Sequence, residues 1–191
     1  MTLIEEKRRL RGVMVARRAE LSEERRRAAA DRLCAAFFDE KPFALPAVVT
    51  AFWSINEEID VRPLMHALVE AGCRLALPVV QGKRQPLVFR AWSPGDELEA
   101  GVFGTFHPFG HREVLEPDAL LVPLLACDGE GWRLGYGGGF YDRTLTGLRA
   151  RRRVTAVGVG YDEQVIEAVP HGPDDERLDW LLTDRRACAF V

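Results

Sequence analysis

Six short apolar runs punctuate this chain, and their spacing constrains its fold more than any other feature. They lie at 47–53 (AVVTAFW), 73–80, 87–92, 119–125 (ALLVPLL), 154–161 (VTAVGVGY) and 187–191. Each has the length of a strand, and most are rich in β-branched or aromatic residues. Runs that stay apolar, without polar alternation, suit strands buried on both faces. Segments of helical texture separate several of them. That alternation predicts a mainly parallel sheet with helices on both faces, in an α/β domain. At 191 residues the whole chain, 1–191, is expected to form one domain. Such a length buries about two-thirds of the unfolded surface without help from disulfides.

The N-terminal third reads as helix. Leu3, Leu10, Val13 and Met14 fall near one helical face. Ser22, followed by Glu23 and Glu24, marks a break and a new N-cap. Ala29, Leu33, Ala36 and Phe37 form a second apolar stripe, ended by Pro42 and Pro46. Residues 60–72 read as a helix capped by Asp60, with Pro63 in its first turn and Gly72 at its end. Residues 140–149 read as another. The stretch 93–117, rich in Gly and Pro, is expected to be irregular.

The formal net charge of -3 disfavours general nucleic-acid binding. The charge is unevenly spread: residues 1–32 hold ten Lys/Arg against six Asp/Glu, on an otherwise acidic body. A basic end suits a small polyanion such as a nucleotide, and it equally suits a solvated helix face. The cysteines Cys34, Cys73, Cys127 and Cys188 show no CxxC spacing and read as buried free thiols. His66, His107, His111 and His171 are scattered without metal-ligand spacing. No apolar run is long enough to span a bilayer, and no signal-peptide pattern opens the chain, so a cytoplasmic location is expected.

Segment 133–143, RLGYGGGFYDR, carries the most chemistry. Gly135, Gly137, Gly138 and Gly139 crowd into five positions. A backbone without Cβ atoms can turn tightly and aim several N–H groups at one anion. The helix beginning just beyond adds its partial positive charge, and Asp142 stands where it can hold magnesium against phosphates. The spacing matches neither a Walker A loop nor GxGxxG, since Phe140 occupies the place of the last glycine. A flexible surface loop is the plainer alternative. Three other groups accompany it. Residues 53–60, WSINEEID, follow the first strand, where α/β sheets bind ligands. Lys7 and Arg11 share a helix face and can clamp phosphates. Acids cluster in 161–164 and 174–179.

Together these segments, in this order, resemble the 5-formyltetrahydrofolate cyclo-ligase family over about 7–183. The strongest part is RLGYGGGFYDR after LLVPLLACDGEG, joined by KRRLR, FWSINEEID, GVFGTFHP and YDEQVIEAVP with DDERLD. The resemblance implies a three-layer α/β/α sandwich around a mainly parallel mixed sheet, with a helical N-terminus. It implies conversion of 5-formyltetrahydrofolate to 5,10-methenyltetrahydrofolate, with ATP as co-substrate and magnesium as cofactor. It implies ATP contacts from Lys7, Arg11, Arg133, Leu134, Gly135, Tyr136, Gly137, Gly138, Gly139, Phe140 and Tyr141. Folate contacts would come from Trp53, Glu58 and the 136–140 segment. Metal ligation would fall to Asp142 and Asp175, with Arg133 and Tyr136 as catalytic residues. No nucleic acid or membrane partner is implied, and a monomer is expected. His107 stands where the family often has an acid, and Phe140 where a tyrosine is common. Two other readings follow from single features: a folate or nucleotide binder without turnover, and, from the basic N-terminus, an RNA-binding module.

Overall fold

The structure is a computed structural model and describes residues 2–190. Two long helices come first, α1 (Leu3–Ala19) and α2 (Glu23–Glu40). Thr2 and Glu5 close a reciprocal capping box on α1, and Ser22 caps α2 through the Arg25 N–H, as its position before two acids predicts. Then follow β1 (Val48–Thr50), α3 (Arg62–Glu70), β2 (Arg74–Val80) and β3 (Leu87–Trp92). A hairpin of β4 (Leu98–Ala100) and β5 (Phe106–Pro108) precedes β6 (Ala119–Pro123). A second small hairpin joins β7 (Ala126–Cys127) to β8 (Arg133–Leu134). The chain ends with α4 (Phe140–Arg149), β9 (Thr155–Gly160), β10 (Trp180–Thr183) and β11 (Ala187–Ala189).

Seven strands form the central sheet in the order β11-β10-β9-β6-β1-β2-β3. The inner pairings are parallel, and β3 and β11 close the two edges antiparallel. Alternate residues of one strand feed opposite faces. On β6, Leu121 joins the core under α2 and α3, with Leu33, Phe37, Leu64 and Leu68. Leu120 and Val122 point the other way, to Leu145 and Leu148 of α4. Both faces of the central strands β6 and β9 are covered, which is why their runs stay apolar.

Gly158 on β9 shows how tight this packing is. A Cβ there would lie 2.3 Å from Leu178 Cδ1 and 2.9 Å from Leu124 Cδ2, both buried. Gly158→Ala is expected to cost about 1–3 kcal/mol by overpacking. Urea unfolding checks this: the midpoint falls while the slope is unchanged.

Several sequence expectations change. The first strand covers three residues of the expected 47–53, because the chain leaves the sheet to build the site. Segment 93–117 is not wholly irregular, since it holds the β4–β5 hairpin. Val61, not Asp60, is the N-cap of α3, while Asp60 accepts from the Arg62 N–H and pairs with its guanidinium. Of the expected stripe on α1, Met14 is buried while Leu3 and Val13 are exposed, and Arg18 is buried in addition. The cysteines are free, but Cys34 and Cys188 are only half-buried. Residue 191, in the last expected strand, lies outside the described residues. Among the described residues no helix is long and apolar enough to cross a membrane.

Candidate active site

The chain runs from β1 to β2 and β3 on one side, then returns to β6 on the other side of β1. Strand order reverses there, and the crevice at the carboxyl ends of strands flanking such a point is where open α/β sheets bind ligands. A cavity of about 530 Å³ lies at that place, lined by Phe52 and Trp53 beyond β1, Pro78 and Val80 of β2 and Pro123 of β6.

The glycine segment forms one wall. β8 delivers it, and α4 begins at Phe140, with Gly139 as N-cap at φ 64°. Gly137 also has positive φ, 98°, a conformation that disfavours any side chain. Three arginines brace the loop. Arg11 Nε donates to Gly135 O at 2.8 Å, Arg143 Nη2 to Gly138 O at 2.6 Å, and Arg18 Nη2 to the Tyr136 hydroxyl at 2.7 Å.

α1 supplies the adjoining wall. Lys7, Arg11, Met14 and Arg18 recur at steps of four, three and four, so one stripe of the helix faces the body. Lys7 pairs with Asp175, whose carboxylate also accepts the Gly172 N–H at 2.7 Å. Burial lowers the Arg11 pKa, and the nearby Asp175 carboxylate works against that.

Arg133 is buried and pairs with Asp142 at 3.0 Å, and Asp142 Oδ1 also accepts the Glu176 N–H at 3.2 Å. Both carboxylates expected to hold metal therefore face the cavity beside a cation. Opposite them, Glu58 accepts from the Tyr136 hydroxyl at 2.9 Å and from the Ile55 N–H at 3.0 Å. Burial raises the Glu58 carboxyl above its ordinary range, against the two hydrogen bonds and the Arg18 charge. Tyr136 is pushed up to about 12, first by burial and then by the Glu58 charge, so its phenol stays neutral at physiological pH. Burial raises Tyr141 as well.

Each site residue named from the sequence borders this one cavity: Lys7, Arg11, Trp53, Glu58, the 133–141 loop, Asp142 and Asp175. Sequence reasoning missed Phe103, in the turn joining β4 to β5, and Phe106, at the start of β5, which face the same space. Phe103 lies 6.3 Å, centroid to centroid, from Phe140. It also missed Arg18, although Lys7, Arg11 and Arg18 at i, i+4 and i+11 carry the helical signal. His107 does not line the cavity; it sits on β5 near Glu99.

The fold and cavity define a class first: an α/β protein with a glycine-rich loop lining a cavity at the switch point of its sheet. The chain matches the 5-formyltetrahydrofolate cyclo-ligase family over residues 3–184, and it belongs to that family. It is 36% identical over 146 residues to 5-formyltetrahydrofolate cyclo-ligase of Mycolicibacterium smegmatis, covering 72% of this chain and 74% of that one. It is 35% identical over 147 residues to the Escherichia coli K12 protein of the same name, covering 74% and 80%. The solved structure of Aquifex aeolicus 5,10-methenyltetrahydrofolate synthetase superposes with a TM-score of 0.77 at 31% identity, covering 96% of this chain and 92% of that one.

Proposed function

We propose that this chain converts 5-formyltetrahydrofolate to 5,10-methenyltetrahydrofolate, consuming ATP with magnesium and releasing ADP and phosphate. The observation that carries the reading is the convergence of the cationic stripe, the glycine loop, the paired carboxylates and Glu58 on one cavity at the switch point.

The chemistry explains why these parts belong together. A formamide oxygen is a poor leaving group until it is phosphorylated. ATP transfers its γ-phosphoryl group to the formyl oxygen, N10 attacks the activated carbon, and the oxygen departs as part of phosphate. Phosphoryl transfer asks a protein for positioning and charge neutralisation more than for a nucleophile. Lys7, Arg11 and Arg133 neutralise phosphate charge, and the N–H groups of 135–140 cradle it at the start of α4. Glu58 accepts hydrogen bonds from pterin N–H groups and sets the formyl oxygen in line. Tyr136, as a neutral phenol, orients Glu58 and does not act as a base. Trp53, Phe103 and Phe140 offer apolar contact to the flat folate.

Asp142 and Asp175 fit a magnesium ion. Among the described residues no group of three or more acidic, His or Cys ligands gathers. Magnesium is usually held by one or two carboxylates together with substrate phosphates and waters. Bound there, it would neutralise phosphate charge. Lys7 and Arg133, each paired with one of those carboxylates, stand in the wall of the same cavity.

Two measurements test this reading. With the formyl oxygen labelled as oxygen-18, the label is expected in the released phosphate; label retained elsewhere overturns the phosphorylation step. Lys7→Ala is expected to raise the KM for ATP about tenfold, the weight of one charge-assisted hydrogen bond, with the folate KM unchanged. An unchanged ATP KM would move the clamp off α1.

A further inference from the structure

Arg18 is 2% exposed, yet among the described residues it has no carboxylate partner. Among the described residues its one side-chain hydrogen bond runs from Nη2 to the Tyr136 hydroxyl, at 2.7 Å, while Nε and Nη1 are buried without partners. Its guanidinium carbon lies 5.8 Å from the centroid of the same ring. Burying a guanidinium is costly, and an apolar side chain of similar volume would fill this place at less cost. A charge kept there for one contact on a site residue points to a task in the site.

The chemistry of the contact is directional. Arginine can only donate, so the phenolic oxygen must accept, and the phenolic hydrogen is left for Glu58 Oε1 at 2.9 Å. The backbone N–H of Ile55 holds Glu58 Oε2. The chain Arg18 to Tyr136 to Glu58 thus has one polarity, with negative charge favoured at its cavity end. The charged and titratable groups that influence Glu58 are Arg18 from α1, and Tyr136 and Tyr141 from the loop and α4.

We propose that Arg18, which does not itself line the cavity, is a positioning residue for the folate half of the site: it fixes the Tyr136 hydroxyl toward Glu58, and so holds the Glu58 carboxyl group in place to accept ligand N–H groups. The proposal rests on the assignment of Glu58 to folate made above, but its structural part can be read without turnover.

Arg18→Met keeps much of the volume and removes the charge; Arg18→Lys keeps the charge with a different donor. The acid–base midpoint of Glu58 is followed by carbon-13 NMR of its carboxyl in the full chain, assigned with Glu58→Gln. Burial already holds that midpoint high, and Arg18 opposes burial, so Arg18→Met is expected to move it further up and Arg18→Lys to return part of the shift. The KM for 5-formyltetrahydrofolate should rise about tenfold in Arg18→Met, with its acid limb displaced to higher pH and the ATP KM unchanged. A Glu58 midpoint that does not move overturns the proposal, as does a parallel rise of both KM values. Absence of turnover in the parent protein, with the Glu58 midpoint responding as described, would sink the proposed reaction and leave the Arg18 relay standing. Should Arg18→Met not fold, Arg18→Lys and Tyr136→Phe read the same midpoint, and an unmoved value in both overturns the relay.

Discussion

Asp142→Asn is expected to lower turnover by at least about a hundredfold at saturating ATP and folate, the scale set by losing one preorganised charge at a phosphoryl transition state. The substitution keeps the shape of the side chain and an oxygen able to accept the Glu176 N–H. It removes the negative charge that faces Arg133, whose side chain is only 4% exposed. Leaving that guanidinium without its counter-charge is expected to cost about 1–3 kcal/mol of stability. A protein with a reserve of about 5–15 kcal/mol stays folded through such a loss. The activity deficit therefore exceeds what unfolding explains, and kcat measured beside the urea midpoint separates the two. Wild-type kcat at saturating magnesium would place the metal elsewhere.

Gly137→Ala is expected to weaken ATP binding about a hundredfold while the protein stays folded. Two penalties coincide there. The residue has φ 98°, and its new Cβ would sit 3.1 Å from Arg11 Cζ and 3.3 Å from Nη2. An L-residue held in that conformation costs about 1–3 kcal/mol, which the loop relieves by shifting. A shift of about 1 Å in a positioning element is enough for a hundredfold loss. It also drives Arg11 from the Gly135 carbonyl. The control is Gly147→Ala within α4, where no atom outside the helix's own turns lies within 4 Å and φ is not positive. Alanine there stabilises by about 1 kcal/mol through helix propensity and leaves ATP binding alone. Calorimetric titration of ATP into both variants decides; equal affinities would mean that the loop does not depend on Gly137.

The parts of the fold legible in the sequence are those where one physical cause acts alone. Residues 87–92 and 140–149 are found with the bounds that their patterns give, because burial sets the first and amphipathic periodicity the second. The 180–183 strand was hidden because four residues among acids carry too little pattern. The two-residue strands β7 and β8 owe their pairing to tertiary placement, and no local signal marks them. The β4–β5 hairpin is masked by the Gly and Pro residues around it. Asp60 looked like an N-cap because acids favour that position, yet a nearby guanidinium competes for the same carboxylate.

The site was legible in a similarly uneven way. Glycine clustering, paired cations and carboxylates after strands are local signals, and they name the residues that meet at the cavity. Phe103 and Phe106 carry no such mark, since an aromatic residue looks the same to the sequence in a core and over a ligand. Arg18 lies on the visible stripe of α1 with Lys7 and Arg11, but a third basic residue on a helix reads as solvated until its burial is seen. The pairings Lys7–Asp175 and Arg133–Asp142 span 168 and 9 residues, and only the fold brings the first together.

The proposed reaction brings two ligands, ATP and the folate, together in this one cavity. Purified protein is mixed with ATP, magnesium and 5-formyltetrahydrofolate, and the near-ultraviolet absorbance of the methenyl product is followed beside ADP release. Product and ADP are expected to rise together in equal amounts, with neither formed when ATP or the folate is left out. Folded protein that binds both ligands and forms no product would contradict the account and select a binder without turnover.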